Sequence, residues 1–358
     1  MFVKSVAEGL TADYGWEVTV VTTTPNGKRE KEVLPSGVTV YRLPYRLTLS
    51  NSPISPSWPR DLKRIIAETN PDVIKINIPV PGLGDMTSVA AGRRPTVVYY
   101  HFGSMRKGSL ILDSIIWLYE SILLPISLRR AKFIACGTTY VRDGILRKFR
   151  GKTSIIPPGV DSQRFHPADR RVTNPHVLYV GSLNLSDQHK RFQDLLEACA
   201  ILRNELPELC LTAVGGGDGL PMYEEMAAKL GITDLVRFRG RLEGEVLAQT
   251  YREAAVLALP SLAEPFGMVI TEAMASGLPV VAVRGGGVAT VVDDNHDGLL
   301  VPPLNPEALA EALREILTDP ERGDALGQAG RKKVCEQLDW SHQIASINRV
   351  LTDAATGA

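Results

Sequence analysis

Apolar positions in this chain fall into two kinds of segment: short dense runs, and longer stretches where apolar residues recur every three or four positions. The first kind predicts strands and the second helices, and their alternation predicts a parallel α/β architecture. In the first half, strand-like runs fall at 16–21, 38–43, 71–78, 95–100, 132–136 and 154–161. Helical spacing occupies 2–10, 59–69 and a stretch from 140. In the second half, strands are expected at 176–181, 209–217, 236–240, 255–260, 278–283 and 298–302. Helices are expected at 192–204, 222–230, 243–253, 306–317 and 324–335, with another after Glu264 and a last one from Trp340. The break between Phe165-His-Pro167 and the run at 176 predicts two doubly wound domains, hinged near 166–174 with a cleft between them. The expected division is 1–167, 168–338 and a terminal helix at 339–358 that crosses back to the first domain.

The opening is unusual. A helical segment at 2–10 comes before any strand, whereas a parallel α/β domain ordinarily starts with a strand and a glycine-rich loop. The segment 109–128 is strongly apolar but carries Asp113, Glu120 and Pro125, which argue against a membrane span. It reads either as a buried helix or as an interfacial one backed by Arg129, Arg130 and Lys132.

Composition narrows the class. A length of 358 residues suits two domains. An apolar content of 44% with 22% charged residues describes an ordinary globular protein. Cys136, Cys199, Cys210 and Cys335 show no paired spacing and no nearby histidines, which favours buried thiols in a reducing cytoplasm. No secretory signal opens the chain. The formal net charge is zero but unevenly spread. Residues 1–165 hold 23 Lys and Arg against 13 Asp and Glu, and the remainder carries the opposite excess. The basic half could face anionic lipid or an anionic acceptor, or be balanced by its neighbour. No nucleic-acid partner is expected.

The richest chemistry lies in Glu264-Pro-Phe-Gly-Met-Val-Ile-Thr-Glu272. Glu264 should stand at the carboxyl end of one strand, where ligands bind in parallel sheets, and the helix that follows carries Glu272. Phe266 leads into Gly267, which permits close backbone approach. The amides of Gly267, Met268 and Val269 are then free to face an anion. A carboxylate beside such a helix start suits a ligand that is part polyol and part phosphate.

This arrangement resembles the Glu-x7-Glu signature of retaining glycosyltransferases with the GT-B fold, especially glycosyltransferase family 4. The likeness extends to Asp72-Val-Ile, to His101 after its strand, and to Pro158-Gly-Val-Asp-x-x-x-Phe-x-Pro167. It implies two Rossmann-like domains, the first binding an acceptor and the second a nucleotide-diphospho-sugar. It also implies a strand and paired glycines ahead of residue 2, so the chain looks truncated at its amino end. By resemblance, Lys190 stabilises the charge that grows on the leaving diphosphate, after the strand that ends at Gly181. Relatives commonly carry Arg where this chain has Ser182, so one positive charge is missing, and His189 or Arg191 would have to substitute. Glu264 would accept from donor-sugar hydroxyls and Glu272 from the ribose, since one carboxylate accepts two O–H groups. Arg239 and Gly240 would lie near the base, and His101 beside the reacting sugar. The implied reaction is transfer of a hexose, mannose or glucose, to a saccharide or lipid-linked acceptor in cell-surface polysaccharide or glycolipid synthesis, with retention. No D-x-D motif or clustered His/Asp set occurs, so neither metal nor other cofactor is expected.

Three rivals stand beside this reading. A nicotinamide or flavin enzyme fails, since no G-x-G-x-x-G opens a strand-helix unit with an acid about 20 residues on, and Gly215-Gly-Gly-Asp-Gly219 is only an imperfect match. A nucleotide-sugar epimerase would share the fold. A non-catalytic relative would bind the nucleotide sugar without turning it over.

Overall fold

The computed structural model describes residues 2–49, 52–79, 81–103, 110–169 and 174–357. The chain forms two compact units, residues 1–159 with 341–358, and residues 160–340.

The first unit opens with α1 (Phe2–Tyr14), β1 (Thr19–Thr24), β2 (Glu30–Val33) and β3 (Thr39–Pro44). A small antiparallel pair follows, β4 (Leu47–Leu49) and β5 (Ser52–Ile54), then α2 (Trp58–Thr69). Pro59 presets the first turn of α2, and Asn70 ends it in a left-handed conformation. Trp58, Leu62, Ile65 and Ile66 form its buried face, the i, i+4, i+7, i+8 stripe of an amphipathic helix. Next come β6 (Ile74–Ile78), α3 (Leu83–Ala90), β7 (Thr96–Tyr100) and α4 (Leu110–Leu118). A π-helical turn at Tyr119–Leu123 joins α4 to α5 (Leu124–Arg130), and β8 (Phe133–Cys136), α6 (Thr139–Asp143) and β9 (Thr153–Ile155) follow. The strands make two sheets rather than one. One runs β1-β3-β2 and the other β6-β7-β8-β9. β1 pairs β3 in parallel, and all pairs of the second sheet are parallel.

The second unit carries β10 (His176–Val180), α7 (Phe192–Leu202), β11 (Cys210–Val214), α8 (Leu220–Lys229), β12 (Val236–Gly240) and α9 (Gly244–Arg252). It continues with β13 (Val256–Leu259), α10 (Met268–Ala275), β14 (Val280–Val283) and β15 (Leu299–Val301). Then come α11 (Pro306–Thr318), α12 (Pro320–Lys333) and α13 (Trp340–Thr356), of which α13 packs in the first unit from Ser341 onward. One parallel sheet runs β12-β11-β10-β13-β14-β15. Helices cover both faces, so its central strands are apolar on both sides. Val177, Tyr179, Val256 and Ala258 point into one core with α7 and α11. Leu178, Leu257 and Leu259 point into the other with α10.

The two units divide between Gly159 and Val160, where the expected division lay at 167. Val160 and Phe165 are buried in the core of the second unit, and the Val160 amide donates to Leu338 O at 2.9 Å. The expected hinge lies partly on residues 170–173, outside the described residues. Buried packing at 109–128 is only half the picture, because Tyr119, Leu124 and Leu128 are buried while Ile115, Trp117, Leu118, Ile122, Leu123 and Ile126 are exposed. Among the described residues no helix is long and apolar enough to cross a membrane.

Candidate nucleotide-sugar site

In the sheet of the second unit, chain order reverses between β10 and β13, which are neighbours in space. Loops leaving the carboxyl ends of two such strands diverge to opposite faces and leave a crevice. Gly181 and Ser182 leave β10, and Ser261 to Glu264 leave β13. Lys190, at the end of a 3-10 turn over Leu185–Lys190, and Glu264 meet across that crevice in a direct ion pair. Leu262 N donates to His189 O at 2.9 Å and ties the two loops together. Glu264 is buried, only 8% exposed, so its charge depends on Lys190 for compensation.

Two glycine features hold Glu264 in place. Gly267 adopts φ +87° at the start of α10, a conformation that other residues rarely take. Past β14, Gly287 N donates to Glu264 O at 2.6 Å, and a Cβ added at Gly287 would lie 2.0 Å from Pro265 O. The Gly285–287 loop is thus the backbone support of the Glu264 turn, a role its sequence did not reveal. α10 starts without a capping side chain and without an acidic residue in its first turn. Its first amides, at Met268 and Val269, therefore have no carboxylate of their own helix to neutralise them. Phe266 is buried beneath this turn.

Glu272 sits on α10 facing the second core and accepts a hydrogen bond from Tyr251 Oη at 2.7 Å. Burial raises its pKa to about 7, and the Tyr251 hydrogen bond opposes the shift. Arg239 and Gly240 end the edge strand β12 and are exposed. Gly240 O accepts from Gly215 N at 2.8 Å, which joins that end to the loop after β11.

Ser182, where the resemblance led us to expect Arg, does not stand alone. Its Oγ donates to Asp187 Oδ2 at 2.6 Å and accepts from Asn184 Nδ2 at 2.7 Å. Burial works against ionisation of Asp187. The hydrogen bonds from Ser182 and Asn184, with the nearby charges of His189 and Lys190, outweigh it and hold the carboxyl below its usual range. This acidic pocket is the opposite of what an Arg would supply. Nor does Arg191 replace that charge, because it is held at 3.0 Å by the buried Asp194 at the head of α7.

His101 belongs to the first unit. Its Nε2 lies 2.9 Å from Asn77 Oδ1, which also accepts from Lys75 Nζ at 2.8 Å. Burial, and then the Lys75 charge, lower the His101 pKa to about 3, so the ring is neutral at physiological pH. A neutral ring whose Nε2–H donates to Asn77 leaves Nδ1 as its acceptor. Burial lowers Lys75 to about 7, with its amine over the rings of Phe2 and Tyr99. Neither Lys75 nor Asn77 was singled out from sequence, because a lysine inside an apolar strand reads as solvated. Among the described residues, no group of three His, Cys, Asp or Glu side chains is arranged to hold a metal.

Two parallel α/β units in one chain, the second with a polar crevice at its switch point, define the GT-B class of fold. Residues 1–164 match the family model described as Glycosyltransferase Family 4, and residues 162–333 the one described as Glycosyl transferases group 1. The chain belongs to this family of glycosyltransferases. It is 35% identical over 240 residues to D-inositol 3-phosphate glycosyltransferase of Streptomyces avermitilis, a match covering 62% of this chain and 52% of that protein. The enzyme of the same name from Stackebrandtia nassauensis is 37% identical over 218 residues, 57% of this chain and 49% of the relative. The chain thus spans about half the length of the curated relatives it matches. Among solved structures, sucrose-phosphate synthase from Thermosynechococcus elongatus superposes with a TM-score of 0.77 at 25% identity, covering 100% of this chain and 93% of the other. Anabaena HepE in complex with UDP shares the fold, with a TM-score of 0.75 at 17% identity, over 94% of this chain and 100% of the other.

Proposed function

We propose that this protein is a retaining hexosyltransferase that moves a sugar from a nucleoside diphosphate to a saccharide or lipid-linked acceptor. The Lys190–Glu264 pair at the switch point carries this reading. Without donor the two charges satisfy each other. With donor, the Lys190 ammonium turns to the diphosphate and Glu264 accepts from sugar hydroxyls. As the sugar–oxygen bond breaks, negative charge grows on the leaving phosphate, where Lys190 and the α10 amides stabilise it. The acceptor oxygen attacks the anomeric carbon from the face the phosphate leaves, and its proton passes to that phosphate. Glu272, held by Tyr251 Oη, is the group we assign to the ribose; in the first unit, neutral His101 keeps Nδ1 as an acceptor for a sugar hydroxyl. In this reading the cationic work falls to side chains and helix amides, so activity should survive a chelator. The family relatives' names support a sugar donor and a polyol phosphate acceptor, and the UDP complex of HepE makes UDP-sugars the first donors to try.

A melting screen of UDP-, GDP- and ADP-sugars identifies the donor, because a ligand of the native state raises Tm. Diphosphate release is then measured with and without acceptor, and product configuration read by NMR. Acceptor-dependent release with retention supports the proposal. Binding without release favours a non-catalytic relative, and epimerised donor without acceptor favours an epimerase.

The setting we favour is the cytoplasmic face of an anionic membrane. Ile115, Trp117, Leu118, Ile122, Leu123 and Ile126 are exposed on α4, the π-turn and α5, and the exposed Arg129 and Arg130 follow them. Apolar side chains would enter the headgroup region while Arg129 pairs with lipid phosphate, about 1 kcal/mol, and Arg130, held by Ser88 O and Gly92 O, adds only its charge. Co-sedimentation with anionic vesicles should be strong at low salt and weaken at high salt. Absence of pelleting at low salt would reject this placement.

A further inference from the structure

At the amino ends of β13 and β14, inside the second unit, lies a cavity of about 420 Å³. Small-molecule sites span roughly 300–1,000 Å³. Ala254 and Ala255, ahead of β13, and Leu278 and Pro279, ahead of β14, line it. The crevice that holds Lys190 and Glu264 opens instead at the carboxyl ends of the strands. The length of β13, four residues, stands between the two, roughly 13 Å at the usual rise of a strand. The cavity is therefore a separate place from the candidate donor site.

One face of α12 forms its polar wall. Asp324, Gln328, Arg331 and Lys332 stand at i, i+4, i+7 and i+8, the spacing of a single helical stripe. Small residues beside that stripe fix where it lies. A Cβ added at Gly327 would fall 2.1 Å from Gly277 O, and one at Gly330 would fall 2.9 Å from Met274 Cγ, so α12 rests closely on the end of α10. Arg331 fastens the contact. Its Nη1 donates to Ser162 O at 3.0 Å, to Phe165 O at 2.8 Å and to Ala275 O.

All three acceptors are neutral carbonyls, which leaves the charge unanswered. Every other half-buried lysine or arginine among the described residues of this unit pairs with a carboxylate, as Arg252 does with Glu245 and Lys333 with Asp293 and Asp297. Arg331 pairs with none, and its Nε and Nη2 make no hydrogen bond to the described residues. Lys332, next to it in the chain, is exposed and equally without a partner among them. The other charged groups that line the cavity, Arg252 and Asp324, are already engaged. Two positive charges thus remain at one wall. A carboxylate would answer one of them. A phosphate monoester, with a charge of about −1.5 to −2 at neutral pH and three acceptor oxygens, answers both, and a guanidinium edge suits its geometry.

We propose that this cavity binds a small organic phosphate. Its phosphate meets Arg331 and Lys332, its carbon chain rests on Ala254, Leu278 and Pro279, and its hydroxyls meet the Gln328 amide. This second ligand site goes beyond the transferase reading and does not depend on it.

Glycerol 3-phosphate is the probe, with glycerol and acetate as controls. Binding to the full chain is read by calorimetry and by the rise in Tm. The phosphate should bind and the controls should not. Two variants then locate it, because a phosphate could also settle beside Lys190. Gln328 is exposed, so Gln328→Glu should fold as the parent does. It sets a carboxylate beside the phosphate and should weaken binding about tenfold, whereas Gln328→Lys should tighten it. Lys190→Ala should leave the affinity unchanged. Loss of binding in Lys190→Ala, or parental affinity in Gln328→Glu, overturns the proposal, since the phosphate then lies in the donor crevice or elsewhere. No binding at all, or acetate bound as tightly as the phosphate, overturns it too.

Discussion

The two units follow one plan with different completeness. In the second, six parallel strands form a single sheet, and every backbone edge inside it is paired. In the first, seven of the nine strands among the described residues fall into sheets of three and four, with a cavity lined by β1 and β6. The consequence shows at the ligand end. Where the sheet is continuous, β10 and β13 lie in register, and their loops can press Lys190 against Glu264. Where it is divided, the polar group is Asn77 near the end of β6, shared by Lys75 from within the strand and by a neutral histidine. A built site thus depends on a closed ladder behind it.

The sharpest way to test this difference is to strike each end. Glu264→Ala and Lys190→Ala should each lower kcat by about 10² to 10³, the usual cost of losing one transition-state charge partner. Both residues sit in loops at strand ends, so the fold should survive either change, but Lys190→Ala strips buried Glu264 of its partner and should melt lower than Glu264→Ala. Turnover near the parental rate in either variant would remove the pair from the mechanism. His101→Ala, in the less complete unit, should cost less. A larger loss there would reverse the ranking of the two units.

Next in size is the glycine support. Gly287→Ala puts a Cβ 2.0 Å from Pro265 O and must displace the Glu264 turn, at about 1–3 kcal/mol of overpacking strain. Donor affinity should fall with it. Gly216→Ala is the control in the same unit, because a Cβ there meets nothing within 4 Å. If both variants bind donor equally well, the 285–287 loop is not what positions Glu264.

These positions also show what could be read from sequence. The apolar runs of the second unit were legible because strands covered on both faces leave no polar residues inside, and Glu264, Gly267 and Glu272 were legible by their spacing. The support for Glu264 was not, since Gly285-Gly-Gly287 acts through a close approach of two backbones distant in sequence. β2 was missed because Glu30-Lys-Glu-Val33 is mostly exposed and carries no apolar alternation. The boundary was expected after Pro167 because the apolar pattern breaks between Phe165-His-Pro167 and the run at 176, whereas the Phe165 ring is core of the second unit. Segment 109–128 was ambiguous because composition cannot say which face of a helix is covered.

The units should also respond to pH with opposite sign. Lys75 has its pKa lowered to about 7, so its charge is a burden when folded, and the first unit loses stability as pH falls from above 10 toward 7. Glu272 is raised to about 7, so the second unit keeps its stability below the ordinary glutamate range and loses it as pH rises from about 4.5 through 7. Lys75→Met should therefore stabilise the protein at neutral pH, and Glu272→Gln should do so only above about pH 5. Chemical denaturation at pH 6 and 8 separates them. Parallel pH slopes in both variants would contradict the assigned burial.

The smallest effect expected is also the most specific to the nucleotide site. Tyr251 Oη is the donor that opposes burial at Glu272. Tyr251→Phe keeps the ring that packs edge-on against Phe165 and removes only the hydroxyl. The stability cost should be about 1 kcal/mol, the net worth of one hydrogen bond. Without that donor the Glu272 carboxylate is harder to form, so its titration moves upward from about 7. If ionised Glu272 accepts from ribose hydroxyls, donor affinity rises with pH through this titration, and the midpoint of that rise should shift to higher pH in Tyr251→Phe. Calorimetric titration of the donor at intervals from pH 6 to 9 reads the midpoint directly. An unchanged midpoint with weaker binding at every pH would make Tyr251 a packing residue and leave the Glu272 charge without a part in ribose recognition.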